Sequence, residues 1–310
     1  SEEGLLSVAF SSDGQTLAAA SADGLVHLWN TGALNPEPDT TVESGGGAIW
    51  SIAFSPDGRF LAAAGANGFV HLWNLNNLES QPRSLLADEI AAFAVSFSPD
   101  SQALASAGFD RTIKLWDMSD LSAEPLSLSG HENAVRSLAF SPDGQTLASG
   151  SFDQTVRLWS LRDPLAEPEI LAGHEQNVWA VTFSADGQIL ASASADQSVR
   201  LWTKTDPAAR PVLLSGHEAS VTAVLFDPAS SERRLISAGD DGAIRMWDAT
   251  KKPTTWSLLS TQEDRVSTIA FTNDGRYLAS AGGGGAIRVW NMSDPDVEPA
   301  ILTGHEDSIL

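Results

Sequence analysis

Gly130-His131, Asn133-Ala-Val-Arg-Ser-Leu-Ala-Phe140, Ser141-Pro-Asp-Gly144, Thr146-Leu-Ala-Ser-Gly-Ser151, Phe152-Asp153 and Thr155-Val-Arg-Leu-Trp159 follow one another in a single stretch of the chain. Its apolar runs are short and rich in Val, Leu and small residues, which suits strands covered on both faces. Ser-Pro-Asp-Gly is a turn sequence: Pro fixes φ, Asp bonds its own backbone and Gly accepts positive φ. A second tight turn falls at Asp153, and a fourth strand, Glu169-Ile-Leu-Ala172, follows a loop rich in Pro and acid. The unit recurs. Trp29, Trp73, Trp116, Trp159, Trp202, Trp247 and Trp290 stand 44, 43, 43, 43, 45 and 43 residues apart. A unit of this size cannot bury its own apolar face and must stack on its neighbours.

Seven in-phase copies with Gly-His, Trp-Asp (Trp116-Asp117, Trp247-Asp248) and Ser-Pro-Asp-Gly resemble the WD-repeat β-propeller family over essentially the whole chain. Several copies carry Asn30, Asn74, Ser160 or Asn291 in place of the Asp. The resemblance implies an all-β fold, a seven-bladed propeller of four-stranded antiparallel blades with strand one of each lining a central channel. Approximate blade limits are 1–46, 47–88, 89–130, 131–173, 174–216, 217–261 and 262–304 within one domain. No stretch keeps a helical period between strands, which excludes a doubly wound α/β fold. The chain starts at Ser1 without Met, and 305–310 aligns with 1–6, as a seam overlap or the start of a further repeat. A piece of a longer protein is expected.

A net charge of −22 argues against nucleic acid and anionic membrane surfaces as partners, since both attract cations. There is no cysteine, so disulfides and thiolate chemistry are excluded. No run approaches membrane-spanning length and no signal segment is visible, so a cytoplasmic location is expected.

Blades four, five and six each hold a full Ser/His/Asp/Trp set: His131, Ser149, Asp153, Trp159; His174, Ser192, Asp196, Trp202; His217, Ser237, Asp241, Trp247. The resemblance implies a structural hydrogen-bond relay: a buried indole N–H needs an acceptor, and Ser can accept it and donate on to His. A hydrolase triad uses the same residue types. Three copies at equivalent buried positions, with no Gly-x-Ser-x-Gly elbow, argue against it. Histidines spaced one per blade are too far apart for a shared metal, and no cofactor motif appears; a glycine run at 282–285 without a following helix is weak evidence. The set is degraded elsewhere: Ser1 and Ala19 in blade one, Gly45, Ala63 and Asn67 in blade two, Asp88 in blade three, Gln262 and Gly284 in blade seven.

In such propellers the loop entering strand one and the turn between strands two and three share one rim, the top. Four residues before each strand-one Phe stand Leu6, Trp50, Phe93, Arg136, Trp179, Thr222 and Ser267. Before each turn Asp stand Ala22, Ala66, Phe109, Phe152, Ala195, Asp240 and Gly283. Trp50, Phe93, Phe109, Phe152 and Trp179 thus fall in consecutive blades two to five with Arg136 among them, the residue types that dominate binding hot spots. The bland alternative is that these rings only cover the channel mouth or pack between blades. On the opposite, acid-rich face, Arg233, Arg234, Lys251 and Lys252 form a second candidate patch.

The expected function is non-catalytic: a protein or peptide, or a neighbouring domain of the same chain, would bind the aromatic rim, with Arg136 taking a carboxylate or carbonyl. The alternative is a sensor or regulatory domain controlling an attached effector, on analogy with large bacterial multidomain proteins. An enzyme propeller is the remote third reading, because the mouth column lacks the carboxylates, histidines or metal that one would need.

Overall fold

Seven short-strand units, each unable to bury its own sheet, set the architecture. The computed structural model describes residues 4–303 apart from 34, 79, 207–208, 231–232 and 250–254. It holds seven four-stranded antiparallel sheets, spanning 5–43, 49–86, 92–129, 135–172, 178–215, 221–261 and 266–302. Each sheet takes its strands in chain order, and no helix occurs among the described residues. In blade four the strands are Val135–Phe140, Thr146–Ser151, Thr155–Ser160 and Glu169–Ala172. The first three are covered on both faces; the fourth buries only Leu171.

The repeated Trp is the reason blades stack. Trp159 is buried together with Val135, Leu138 and Leu147 of its own blade and Ala105, Ile113 and Leu128 of the blade before. Truncating such a ring costs about 3–5 kcal/mol in a packed core. Strand two is built of small residues because the next sheet lies close. A Cβ on Gly150 would stand 2.8 Å from Val178 Cγ1 of blade five. Hydroxyls add stitches from blade to blade: Ser7 Oγ accepts from the Ile52 N–H at 3.1 Å, and Ser137 Oγ from the Val181 N–H at 3.0 Å.

The ring closes by the same devices. Leu5, Leu17 and Trp29 of blade one share a buried cluster with Ala279, Ile287 and Leu302 of blade seven. Across this seam the Val8 N–H meets Thr268 Oγ1 at 3.4 Å, and the Thr303 N–H donates to the Pro36 carbonyl at 2.9 Å. Blade seven draws its outer strand, Ala300–Leu302, from its own segment, so the seam is side-by-side packing and not a shared sheet. His305 and the rest of the proposed overlap lie outside the described residues.

Candidate binding site at the channel mouth

A β-bulge positions each residue of the mouth column. On strand one of blade two, Ile49 pairs with Gly65 and Ser51 with Ala64, so Trp50 is skipped by the ladder. Leu6, Phe93, Arg136, Trp179, Thr222 and Ser267 are skipped in the same way in the other six blades. A bulged residue leaves the in-and-out alternation and its side chain is re-aimed. The second column joins the first because the turn between strands two and three is tied to the entering loop. The Phe109 N–H donates to Ala91 O at 3.0 Å, and the Phe152 N–H to Ala134 O at 2.9 Å.

These two devices bring the aromatic residues together. Ring centroids are 5.9 Å apart for Trp50–Phe93, 6.4 Å for Phe93–Phe152 and 5.1 Å for Phe152–Trp179, a continuous row across blades two to five. Phe109 joins it 6.5 Å from Phe93 and is 51% exposed. Arg136 reaches back over blade three: its Nη1 donates to the Phe93 carbonyl at 3.1 Å, and its Cζ lies 5.9 Å from the Trp50 ring centre. Water touches part of the side chain, yet burial pushes the guanidinium down to about 10, so it stays charged at neutral pH. The indole N–H groups of Trp50 and Trp179 are buried without a protein acceptor.

The row borders a cavity of about 420 Å³ at the channel mouth. Its other side, from blades six, seven and one, mixes polar groups (Thr222, Asp240, Arg265, Ser267) with apolar ones such as Leu6, Val224 and Ile269. Trp50, Arg136 and Trp179 of blades two, four and five face this mixed side across the mouth.

Away from the mouth, the Ser/His/Asp residues form buried chains. In blade four the Trp159 N–H donates to Ser149 Oγ at 2.8 Å, Ser149 lies 2.7 Å from His131 Nε2, and His131 Nδ1 lies 2.7 Å from Asp153 Oδ2. The donor sequence is consistent with a neutral ring carrying its proton on Nδ1. Burial pushes His131 below its ordinary value, and the pull of Asp153 does not reverse it. Burial also opposes ionisation of Asp153, but the His131 and Thr155 bonds outweigh it and hold the carboxyl well below the usual range. Blades five and six repeat the distances: Ser192 and Ser237 lie 2.7 Å from His174 and His217, and Trp202 and Trp247 donate to them at 2.8 Å. Asp196 lies 2.7 Å from His174, and Asp241 lies 3.0 Å from His217.

The family model described as WD domain, G-beta repeat matches residues 1–30, 38–74, 88–117, 124–160, 167–203, 210–248 and 255–291, most of the chain. The chain belongs to the WD-repeat family. A comparison with curated proteins gave no match. The matched WD repeats are offset by one strand from the blades: 124–160 holds the outer strand of blade three, Leu126–Ser129, and strands one to three of blade four. WD-repeat propellers generally serve as scaffolds for protein interaction.

The WD-repeat relay is replaced, rather than simply missing, in two blades. In blade seven, Gln262 Nε2 donates to Ser280 Oγ at 2.7 Å and Arg288 Nη1 to Gln262 Oε1 at 2.7 Å, so an amide does the work of the ring. In blade three, Trp116 still donates to Ser106 Oγ at 2.9 Å, while buried Asp88 accepts from the Ile90, Ala91 and Asp110 N–H groups. There the loop packs so closely that a Cβ on Gly68 would meet Asp88 O at 2.2 Å; this glycine also holds φ +81°. Blade two joins Asn67 to His71 at 3.2 Å and His71 to Ser84 at 3.1 Å. In blade one the Trp29 N–H turns to the Pro36 carbonyl at 3.3 Å. Sequence reasoning also missed a fifth partner. Arg157, Arg200 and Arg245 on strand three lie 4.0, 4.0 and 2.8 Å from the relay carboxylates Asp153, Asp196 and Asp241.

On the opposite face the turn carboxylates are held by their own hydroxyls. Ser141 and Ser184 keep Asp143 and Asp186 down at about 2. Arg233 donates to Asp186 Oδ2 at 2.6 Å, and Arg234 lies 3.5 Å from Asp227. Both arginines are thus engaged with carboxylates of the same face. Lys251 and Lys252 lie outside the described residues. Among the described residues no group of three His, Asp or Glu side chains is arranged to hold a metal, and no helix is long and apolar enough to cross a membrane.

Proposed function

We propose that this WD-repeat propeller is a non-catalytic binding module whose partner, a protein or peptide, seats on the mouth formed by Trp50, Phe93, Phe109, Arg136, Phe152 and Trp179. The observation that carries the reading is the unbroken aromatic row with a charged guanidinium against it, drawn from bulged strand-one positions and, at Phe152, from the turn beside them. Rings of this kind provide large contact area at low entropic cost, and one well-seated Trp contributes ~2 kcal/mol or more to a complex. The fold offers recognition by a preformed surface: the bulges and turn bonds fix the row before any partner arrives. The charge of −22 weighs against nucleic acid and anionic membranes, and a cytoplasmic setting fits the same balance.

The test is affinity capture from native lysate with the parent chain and a Trp50→Ala/Phe152→Ala/Trp179→Ala variant matched for fold by circular dichroism. A partner retained by the parent and lost by the variant is the expected result. Identical capture by both baits would remove the mouth as the recognition face.

A further inference from the structure

We propose that the mouth recognises a carboxylate on a peptide, with Arg136 as its counter-cation and the aromatic row holding the apolar residues beside it. The inference rests on the binding reading above and narrows it to one ligand chemistry.

The first argument is the company that guanidinium groups keep in this ring. Arg157, Arg200 and Arg245, also largely buried, each lie within 4.0 Å of a relay carboxylate. Arg136 has no carboxylate at that distance among the described residues: its hydrogen-bond acceptor is a neutral carbonyl, Phe93 O, and the Trp50 ring lies against it. That bond fixes the guanidinium in place and answers its need for a carbonyl acceptor, but leaves its charge uncompensated. Arg288 of blade seven likewise meets a neutral acceptor, Gln262 Oε1, but of the two only Arg136 lines the mouth cavity.

Enclosure makes that charge effective. Burial disfavours the charged form of Arg136 enough to lower its pKa, so a bound anion would recover interaction that water supplies poorly here. A guanidinium also offers a planar fork of N–H donors matched to a carboxylate. Beside it in the cavity stand the indoles of Trp50 and Trp179 with Val95 and Leu138, which suit an apolar side chain on the same peptide. The other charged groups lining the cavity, Asp240 of blade six and Arg265 of blade seven, carry opposite charges and add no net charge to the mouth. The large negative charge elsewhere is screened beyond about 8 Å at physiological ionic strength.

The experiment uses the full chain and three fluorescent hexapeptide pools, all with apolar residues at the randomised positions. One has a central Glu and an amidated end, the second a central Gln and an amidated end, the third no acid but a free C-terminus. Anisotropy titrations are run on the parent, Arg136→Gln and Arg136→Lys, each checked by circular dichroism to be fully folded at the assay temperature. Glu should bind at least tenfold more tightly than Gln to the parent. That preference should fall below twofold in Arg136→Gln and be partly kept by Arg136→Lys. Binding of the third pool would show that a terminal carboxylate serves as well as a side chain; its failure beside a Glu success would assign the site to acidic side chains. Equal binding of Glu and Gln pools overturns the inference; if that binding also needs Phe152 and Trp179, the mouth remains the recognition face. A Glu preference that survives Arg136→Gln, or no binding by any pool, overturns it as well. The capture experiment, which presupposes no carboxylate, judges the broader reading separately.

Discussion

Arg136 and Trp50 belong to blades four and two, yet the guanidinium carbon lies 5.9 Å from the indole ring centre, with Phe93 of blade three supplying the carbonyl between them. One side chain thus ties three blades at the mouth. Arg136→Ala removes a cation–π contact and a charge-assisted hydrogen bond, and is expected to cost about 1–2 kcal/mol in urea unfolding. Arg136→Lys, which keeps a cation and a donor only one bond shorter in reach, should cost less. Equal costs would mean that the contact with Phe93 O contributes nothing.

Ser149 accepts from Trp159 and contacts His131, so Ser149→Ala orphans two buried polar groups at once. The expected loss is about 2–4 kcal/mol, and Trp159→Phe added to it should cost less than the two single losses summed. Strict additivity in the double-mutant cycle would show that the relay is not a coupled unit.

The relay also sets the response to acid. His131 and His217 have native pKa values pushed down by burial, so the unfolded chain binds protons more readily than the folded one. Their contribution is complete above about 6.5 and is lost as pH falls below it. Asp153, Asp196 and Asp241 are also lowered, and their contribution is lost only further down, as pH drops below about 3.9. Urea midpoints measured between pH 8 and 4 should be flat and then fall from near 6.5, and His217→Gln should flatten the first step. A midpoint that rises on acidification would reverse the sign of the argument.

Blades one and seven meet at the seam and blade two adjoins blade one; all three carry substituted relays, and blade seven has a three-residue outer strand. Amide hydrogen exchange should be faster in them than in blades four to six, where the full relay repeats. The reverse order would show that the relay does not set local stability.

The Trp period and the Ser-Pro-Asp-Gly turns made blade number, strand order and the aromatic columns legible, because each is fixed by local spacing. The bulge at Trp50 was not, since the residue count of strand one is the same whether or not the ladder skips a position. The reach of Arg136 to Phe93 O depends on the distance between blades, which no local pattern carries. Gln262 could have been found: it stands in the His column opposite Ser280, and its amide has the donor that the relay needs. Asp88 was legible as a substitution but not as a backbone clasp, because its partners are N–H groups common to every sequence. Arg157, Arg200 and Arg245 were visible as a column of cations on strand three, but their approach to the relay carboxylates required coordinates.

The most direct test of the mouth as the recognition face is calorimetric titration of a captured partner against single variants on the two faces. Phe152→Ala and Trp179→Ala should each weaken binding by about 2 kcal/mol or more, while Arg233→Ala and Arg234→Ala should change it by less than about 0.5 kcal/mol. Losses confined to Arg233 and Arg234, with the aromatic variants binding like the parent, would contradict the account.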